Sequence, residues 1–386
     1  MSRPLNVLVV MGPIAQGGAE WQLLELLRRV DRSRFRPVLA SVQFSAYKEL
    51  QIGPGDAAIR AAYDALDVPH YRITGYARNS TRNARELMRV IRHEQIDVVH
   101  ANLYAGETWG RAAAILTGTP VVTHKRGIPF KSRKPQNVLV DWLLNLLSQR
   151  IIVVNQAIQR RLQRLQRLPS GKFSVVYPGI DPSLWRRAGE CETAELRRDL
   201  GLEGKQVVTA VGRLRPIKGF RYLVEAWPGV CSECPDARLL LVGHGEQEQE
   251  LRRRVEELGL GDTIQFLGSR SDVRLLLSLS DVAVLASISE ASPVALMEAA
   301  FVGTPAVATW VGGVPEVVRD GVTGTLVPPR NPRALSDALT GLLRDDSARV
   351  SMSEAAVEWA HYAFDINRTV RQIELEYLRA AGARDD

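Results

Sequence analysis

Strand-like apolar runs alternate with helical periodicity from one end of this chain to the other, which restricts it to α/β architecture. In the first half the strand-like runs lie near Val7–Met11, Pro37–Val42, Val98–His100, Val121–His124, Ile151–Val154 and Ser174–Tyr177. Helical patterns such as Trp21–Val30, Thr81–Arg92 and Gly106–Leu116 separate them. Runs this apolar belong to parallel sheets buried on both faces. The alternation pauses across a polar, turn-rich stretch from Tyr177-Pro178-Gly179-Ile180-Asp181-Pro182 to Gly204-Lys205. It restarts near Val207–Gly212, Arg238–Gly243, Ile264–Leu267, Val282–Leu285, Ala306–Ala308 and Thr325–Val327. The pattern predicts two Rossmann-like, doubly wound parallel-sheet domains over 1–180 and 205–364, with a connector over 181–204. A helix over 365–386 is expected to cross back to the first domain. A length of 386 residues suits two such domains. Open α/β sheets bind ligands beyond the carboxyl ends of their strands, so a ligand cleft is expected between the two.

Composition excludes several classes. No apolar run reaches the length of a membrane span; the best candidate, Val138–Val154, is broken by Asp141, Asn145, Gln149 and Arg150. Arg3 and the run Leu5–Met11 read as a first strand rather than a leader. Three cysteines, Cys191, Cys231 and Cys234, point to a reducing compartment. The lone Cys231-Ser232-Glu233-Cys234 fits a helix end better than zinc or redox chemistry. A cytoplasmic location is expected. Residues 1–180 carry 26 Lys+Arg against 12 Asp+Glu, a balance of +14, whereas 181–386 carry 24 against 31, a balance of −7. The basic half suits an anionic partner, including the inner face of a membrane; general solubility explains it as well.

Glu290 and Glu298, with seven residues between them, stand in Ser289-Glu290-Ala291-Ser292-Pro293-Val294-Ala295-Leu296-Met297-Glu298, just after the strand-like Val282–Leu285. Ser292 is expected as the N-cap of a helix with Pro293 at its first position. The free amides of Val294 and Ala295 then form an anion site. Glu298 lies one turn on along the same face, where neutral hydroxyls such as a ribose diol are its natural partners. Glu290, in the loop, is placed to meet a sugar hydroxyl. Two surface glutamates near a helix start remain the plainer account of the pair alone.

Other strand ends carry chemistry of the same kind. In Gly212-Arg213-Leu214-Arg215-Pro216-Ile217-Lys218-Gly219, Arg213 and Lys218 are expected to neutralise a diphosphate and stabilise it as a leaving group. Gly243-His244-Gly245 fits close backbone approach to a ligand, or an ordinary tight turn. Gly17 and Gly18, in a glycine-rich loop that is neither a P-loop nor GxGxxG, offer backbone amides to a phosphate or a sugar. His124 closes a strand and is expected to face the cleft, followed by the basic residues Lys125, Arg126, Lys131, Arg133 and Lys134. Glu316, after Gly312-Gly313-Val314-Pro315, reads more simply as a capping residue.

Taken together, these segments resemble glycosyltransferase family 4, the retaining enzymes of the GT-B fold. The matching pieces are Gly17-Gly18-Ala19-Glu20, Tyr177-Pro178-Gly179-Ile180-Asp181, Gly212-Arg213-Leu214 with Lys218-Gly219, Val242-Gly243-His244-Gly245, Phe266-Leu267-Gly268, Glu290 through Glu298, and Gly312-Gly313-Val314-Pro315-Glu316. The resemblance implies that Arg213 and Lys218 hold the donor diphosphate, Glu298 the ribose and Glu290 the donor sugar. Gly17 and Gly18 would approach the phosphates from the other domain, and His124 would contact the sugar being moved. The absence of an Asp-x-Asp motif fits a family that works without bound metal. Lys125-Arg126 after His124, where many relatives carry a small or acidic residue, departs from the family pattern and points to a different acceptor.

The implied activity is retaining transfer of a hexose-like unit from a nucleotide diphosphate sugar, as substrate rather than cofactor, to a hydroxyl of a glycan or lipid-linked acceptor in polysaccharide or glycolipid synthesis. No nucleic-acid partner is expected. Two alternatives stand beside it: a nucleotide-sugar epimerase of the same fold, and a non-catalytic nucleotide-sugar or lipid-binding protein.

Overall fold

The computed structural model describes residues 3–15, 17–44, 54–76, 80–127 and 135–383. The chain forms two compact units, residues 1–179 with 366–386, and residues 180–365.

Among the described residues the first unit holds seven strands: β1 Leu5–Met11, β2 Phe35–Phe44, β3 His70–Tyr76, β4 Val98–Asn102, β5 Val121–Lys125, β6 Arg150–Val153 and β7 Phe173–Val175. They form one sheet in the order β3-β2-β1-β4-β5-β6-β7, and every pairing is parallel. The order reverses direction between β1 and β4, the switch point of a doubly wound sheet. Both faces are buried, and alternate residues of β1 show how. Val7, Val9 and Met11 pack with residues of helices Gly18–Arg29 and Ile366–Ala381, whereas Leu8 and Val10 pack with helices Arg82–His93 and Arg111–Thr117.

The second unit repeats the plan with β8 Gln206–Val211, β9 Ala237–Val242, β10 Ile264–Gly268, β11 Val282–Leu285, β12 Ala306–Thr309 and β13 Gly324–Val327. Their order is β10-β9-β8-β11-β12-β13, with the switch point between β8 and β11.

One expectation about organisation is corrected. Residues 181–204 are not a free connector but part of the second unit. Their helix Glu190–Asp199 packs against helix Val273–Leu279, with Arg274 bonded to Glu192 at 2.8 Å. Leu202 is fully buried beside Leu276 and Leu279, and that burial outweighs the polar composition that suggested a linker. Strand His70–Tyr76 and helix Pro54–Asp64 were not foreseen. The strand sits at the sheet edge, so its run HYRITGY lacks the continuous apolar character of the buried strands. The C-terminal helix Ile366–Ala381 belongs to the first unit, where Val370, Ile373 and Tyr377 enter the core.

Candidate active site

In the second unit the loops after β8, β9, β11 and β12 lock together backbone to backbone. Gly219 has φ +68°, and a Cβ there would lie 2.0 Å from the Ala286 carbonyl oxygen; Ile288 N donates to Ile217 O at 2.8 Å. These contacts bring the end of the β8 loop against the β11 loop. Gly243 has φ +126°, with the Gly212 carbonyl oxygen 2.1 Å from where a Cβ would sit. Leu214 N donates to His244 O at 3.0 Å. So Gly243 permits one loop to pass against another; the contact seen is with protein backbone rather than with a ligand space.

Glu290 is held from three directions. Its Oε1 receives Lys218 Nζ at 2.6 Å and Ser287 Oγ at 2.7 Å. Its carbonyl oxygen accepts Gly313 N at 3.2 Å, and Gly312, at φ +52°, leaves no room for a Cβ beside that oxygen. Thr309 Oγ1, at the end of β12, donates to Ser287 O at 2.6 Å. Lys218 and Glu290 therefore form a partly buried ion pair at the carboxyl end of the sheet, beside the β8–β11 switch point. Arg213, two residues beyond β8, is exposed at the same end.

Helix Val294–Phe301 begins one residue later than expected. Pro293 is the N-cap, with φ −78° and ψ 88°, and no side chain caps the helix. Ser292 is thus corrected: it does not serve as the N-cap. The Pro293 carbonyl accepts Leu296 N at 3.0 Å and Met297 N at 3.3 Å. Val294 and Ala295 then stand in the first turn, where amides lack a carbonyl one turn back. Glu298 lies a turn further on, half-buried, and among the described residues its carboxylate has no hydrogen-bond or ion-pair partner. Burial pushes its carboxyl up to about 7.

In the first unit the structure corrects the placement of His124. The ring is buried, 3% exposed, rather than open to a cleft. Tyr377 Oη lies 2.8 Å from His100 Nδ1, and His100 Nε2 lies 3.2 Å from His124 Nδ1, with the two imidazoles stacked. His124 Nε2 is buried without a protein partner among the described residues. Burial, aided by the Arg126 charge, holds His124 well below the usual histidine range and takes His100 down to about 3. The basic residues after His124 are only partly available to an anionic partner. Lys125 is buried and bonded to Glu107 at 2.6 Å and Asp141 at 2.8 Å, while Arg126 donates to Asn102 Oδ1 at 3.0 Å. Lys131, Arg133 and Lys134 lie outside the described residues.

Gly17 and Gly18 open helix Gly18–Arg29, as an anion site requires, but the Glu20 carboxylate folds back over Gly17. Its Oε2 lies 2.4 Å from where a Gly17 Cβ would be. Glu316 lies in the short helix Val314–Val317. Among the described residues no group of three or more His, Cys, Asp and Glu could hold a metal ion.

Two family models divide the chain between them: Glycosyltransferase Family 4 matches residues 16–184, and Glycosyl transferases group 1 matches residues 192–359. The chain belongs to the family 4 glycosyltransferases. Its fold is GT-B. Among curated relatives of this family 4 chain, D-inositol 3-phosphate glycosyltransferase of Corynebacterium glutamicum is 36% identical over 215 residues, 53% of this chain and 51% of the relative. N-acetyl-alpha-D-glucosaminyl L-malate synthase of Bacillus anthracis is 26% identical over 335 residues, 84% of this chain and 85% of the relative. The match thus spans about half the length of the first of these relatives. Among solved structures, Anabaena HepE in complex with UDP and glucose superposes with a TM-score of 0.82 at 24% identity, covering 96% of this chain and 99% of that one. A glycosyltransferase from Rickettsia africae gives 0.84 at 19% identity, covering 98% and 99%. At these identities the structural likeness speaks for the fold.

Sequence reasoning missed Ser287 and Tyr377. Ser287 stands three residues before Glu290, and its hydroxyl could have been suspected from that spacing. Nothing local marks Tyr377, which reaches His100 from 277 residues away.

Proposed function

We propose that this family 4 protein is a retaining glycosyltransferase that moves a hexose-like sugar from a nucleotide diphosphate sugar to an acceptor hydroxyl, without a metal ion. The observation that carries the reading is the Lys218–Glu290 pair beside the switch point of the second sheet, with the unpartnered Glu298 carboxylate on the adjoining helix. Lys218, Arg213 and the amides of Val294 and Ala295 take the diphosphate and stabilise the charge that develops as it leaves. Glu298 accepts hydrogen bonds from the ribose hydroxyls. Glu290, fixed by Ser287 and by the turn at Gly312, meets the sugar.

The acceptor side is assigned to the basic first unit. Two relatives are named for anionic compounds, D-inositol 3-phosphate and L-malate. That supports an acceptor carrying negative charge near its hydroxyl, free or lipid-linked, and a lipid-linked one is consistent with polysaccharide or glycolipid synthesis. For His124, buried in this structure, contact with a sugar hydroxyl requires that substrate binding uncovers Nε2, which is without a partner among the described residues.

The test is a thermal-stabilisation screen of nucleotide sugars, because a compound that binds only the native state raises its melting point. One nucleotide sugar should stabilise strongly, and Lys218→Ala and Glu298→Ala should remove the effect. The transferred product is then sought with inositol phosphate, malate and lipid-linked glycan acceptors. Sugar altered without any acceptor present would favour the epimerase, and full stabilisation in both variants would end the donor assignment.

A further inference from the structure

Helix Pro135–Leu147 is built inside out. Its inward residues are polar: Asp141 and Asn145 are buried, as is Ser148 just past its end. Asp141 Oδ1 accepts Arg111 Nη2 at 2.7 Å and Lys125 Nζ at 2.8 Å. Asn145 bonds Arg111 and Gln166, and Ser148 meets Thr123 of β5 at 2.9 Å. Burial works to raise the Asp141 carboxyl, but the Lys125 and Arg111 charges outweigh it and hold it well below the usual carboxylate range. That network fixes the helix with its other side outward. The outward side carries Leu139, Val140, Leu143, Leu146 and Leu147, each between 42% and 56% exposed. At 100° per residue these five share about a third of the circumference. An amphipathic surface helix ordinarily shows the reverse arrangement.

The neighbouring helix Gln156–Gln166 is joined to this one by Trp142 Nε1 donating to Gln166 O at 3.1 Å. It exposes Leu165, 67% accessible, among the exposed Arg160, Arg161, Arg164 and Arg167. From Leu116 to Ile180 the sequence holds eleven Lys and Arg and a single acidic residue, Asp141, which is turned inward. A contiguous apolar face of this extent marks a docking surface, and the charge beside it selects the occupant. A second copy of the chain would bring the same arginines against each other. A membrane surface of anionic lipid supplies both an apolar layer for the leucines and phosphate for the arginines.

We propose that the outward faces of helices Pro135–Leu147 and Gln156–Gln166 dock this protein on anionic phospholipid bilayers. Leu139, Leu143, Leu146 and Leu165 enter the headgroup boundary and Arg160, Arg161 and Arg164 lie along the phosphates. Helix Pro135–Leu147 follows β5 in the sheet, so its start stands at the strand end that carries His124. Docking there places that edge of the unit close to lipid headgroups, whatever sugar the enzyme transfers.

The experiment is flotation of the full chain with vesicles of phosphatidylcholine alone and with about one third phosphatidylglycerol. Binding to the anionic vesicles, weak binding to the neutral ones and loss of binding at high salt are expected. L143E/L146E and, separately, R160E/R161E/R164E should each weaken binding to anionic vesicles at least about tenfold, with melting temperatures unchanged because the altered side chains are exposed. Should the leucine variant fold poorly, the arginine variant alone decides. Equal binding by wild type and a folded variant, or no binding by wild type, overturns the proposal. So does a concentration-dependent dimer that L143E/L146E dissolves, which would give the face to a second copy instead.

Discussion

Lys218 Nζ and Glu290 Oε1 lie 2.6 Å apart although 72 residues separate them in the chain. The pairing exists because the β8 and β11 loops meet at the switch point, where Gly219 lets the two backbones touch. On the proposed donor reading, an anion arriving beside Lys218 would share a cation already oriented by Glu290, so little reorganisation would be needed as charge builds on a departing diphosphate.

Lys218→Ala should therefore lower kcat by about 10²–10³ while leaving the fold intact, since the side chain is partly exposed and the loop is held by backbone contacts. Initial rates with the donor found by thermal stabilisation, alongside circular dichroism of the variant, check this. Near-normal turnover would remove Lys218 from the site.

Glu298 sets a pH dependence with a definite sign. Its carboxyl is pushed up to about 7 by burial, so it becomes fully charged only above that pH. Charged, it is the better acceptor for ribose hydroxyls, and donor affinity should rise as pH increases through about 7. Folding stability moves the other way. With the native value above the unfolded one, the native state binds more protons between about 4.5 and 7, and this contribution to stability is lost as pH rises across that window. Glu298→Gln should flatten both trends. Donor titrations and melting curves of the two proteins at about pH 5 and pH 8 measure them; a wild-type affinity independent of pH would count against the ribose role.

The two-sheet plan was legible because buried parallel strands are continuously apolar, as in Val282–Leu285 and Val7–Met11, and composition marks them without tertiary knowledge. The edge strand His70–Tyr76 escaped for the same reason, lacking that signature. Among the site residues, glutamate and lysine types at strand ends were legible, but their partners were not. Nothing in the sequence says that Glu290 grips Lys218 rather than standing free, or that the Glu20 carboxylate covers Gly17. The Ser292 expectation failed because N-cap preference is a local statistic. Here the backbone turns into the helix one residue later, at Pro293. His124 was expected to face the cleft because it closes a strand, but its ring is buried and stacked on His100 of β4, whose other ring nitrogen meets Tyr377 of the C-terminal helix.

Gly312→Ala tests whether the β12 loop positions Glu290. At φ +52°, with the Glu290 carbonyl oxygen 1.8 Å from the added carbon, the turn must shift. A loss of about 1–3 kcal/mol in stability is expected, together with a fall in kcat. Urea unfolding gives the first, and rates at saturating donor give the second. A destabilised variant with wild-type kcat would show that Glu290 does not depend on this turn.

The buried pair of histidines should make the first unit sensitive to mild acid. His100 and His124 are held below the ordinary histidine value chiefly by burial and next by the Arg126 charge, so both are neutral in the folded protein at neutral pH. In the unfolded chain they take up protons near 6.5. Because the folded values are depressed, stability is fully present above about 6.5 and is lost as pH falls below it. Asp141, held low by Lys125 and Arg111, stays charged through that range and does not contribute to the loss. Unfolding of the first unit followed by urea at about pH 7 and about pH 5 should show the decline, and His124→Asn should reduce it. Tyr377→Phe removes the hydroxyl that meets His100 Nδ1 and should cost about 1–2 kcal/mol at neutral pH. Glu374, whose carboxyl is raised by burial in the same unit, works in the opposite direction, so the decisive comparison is with His124→Asn: an equal change from about pH 7 to about pH 5 in both proteins would show that the His124 ring titrates alike in the folded and unfolded chain.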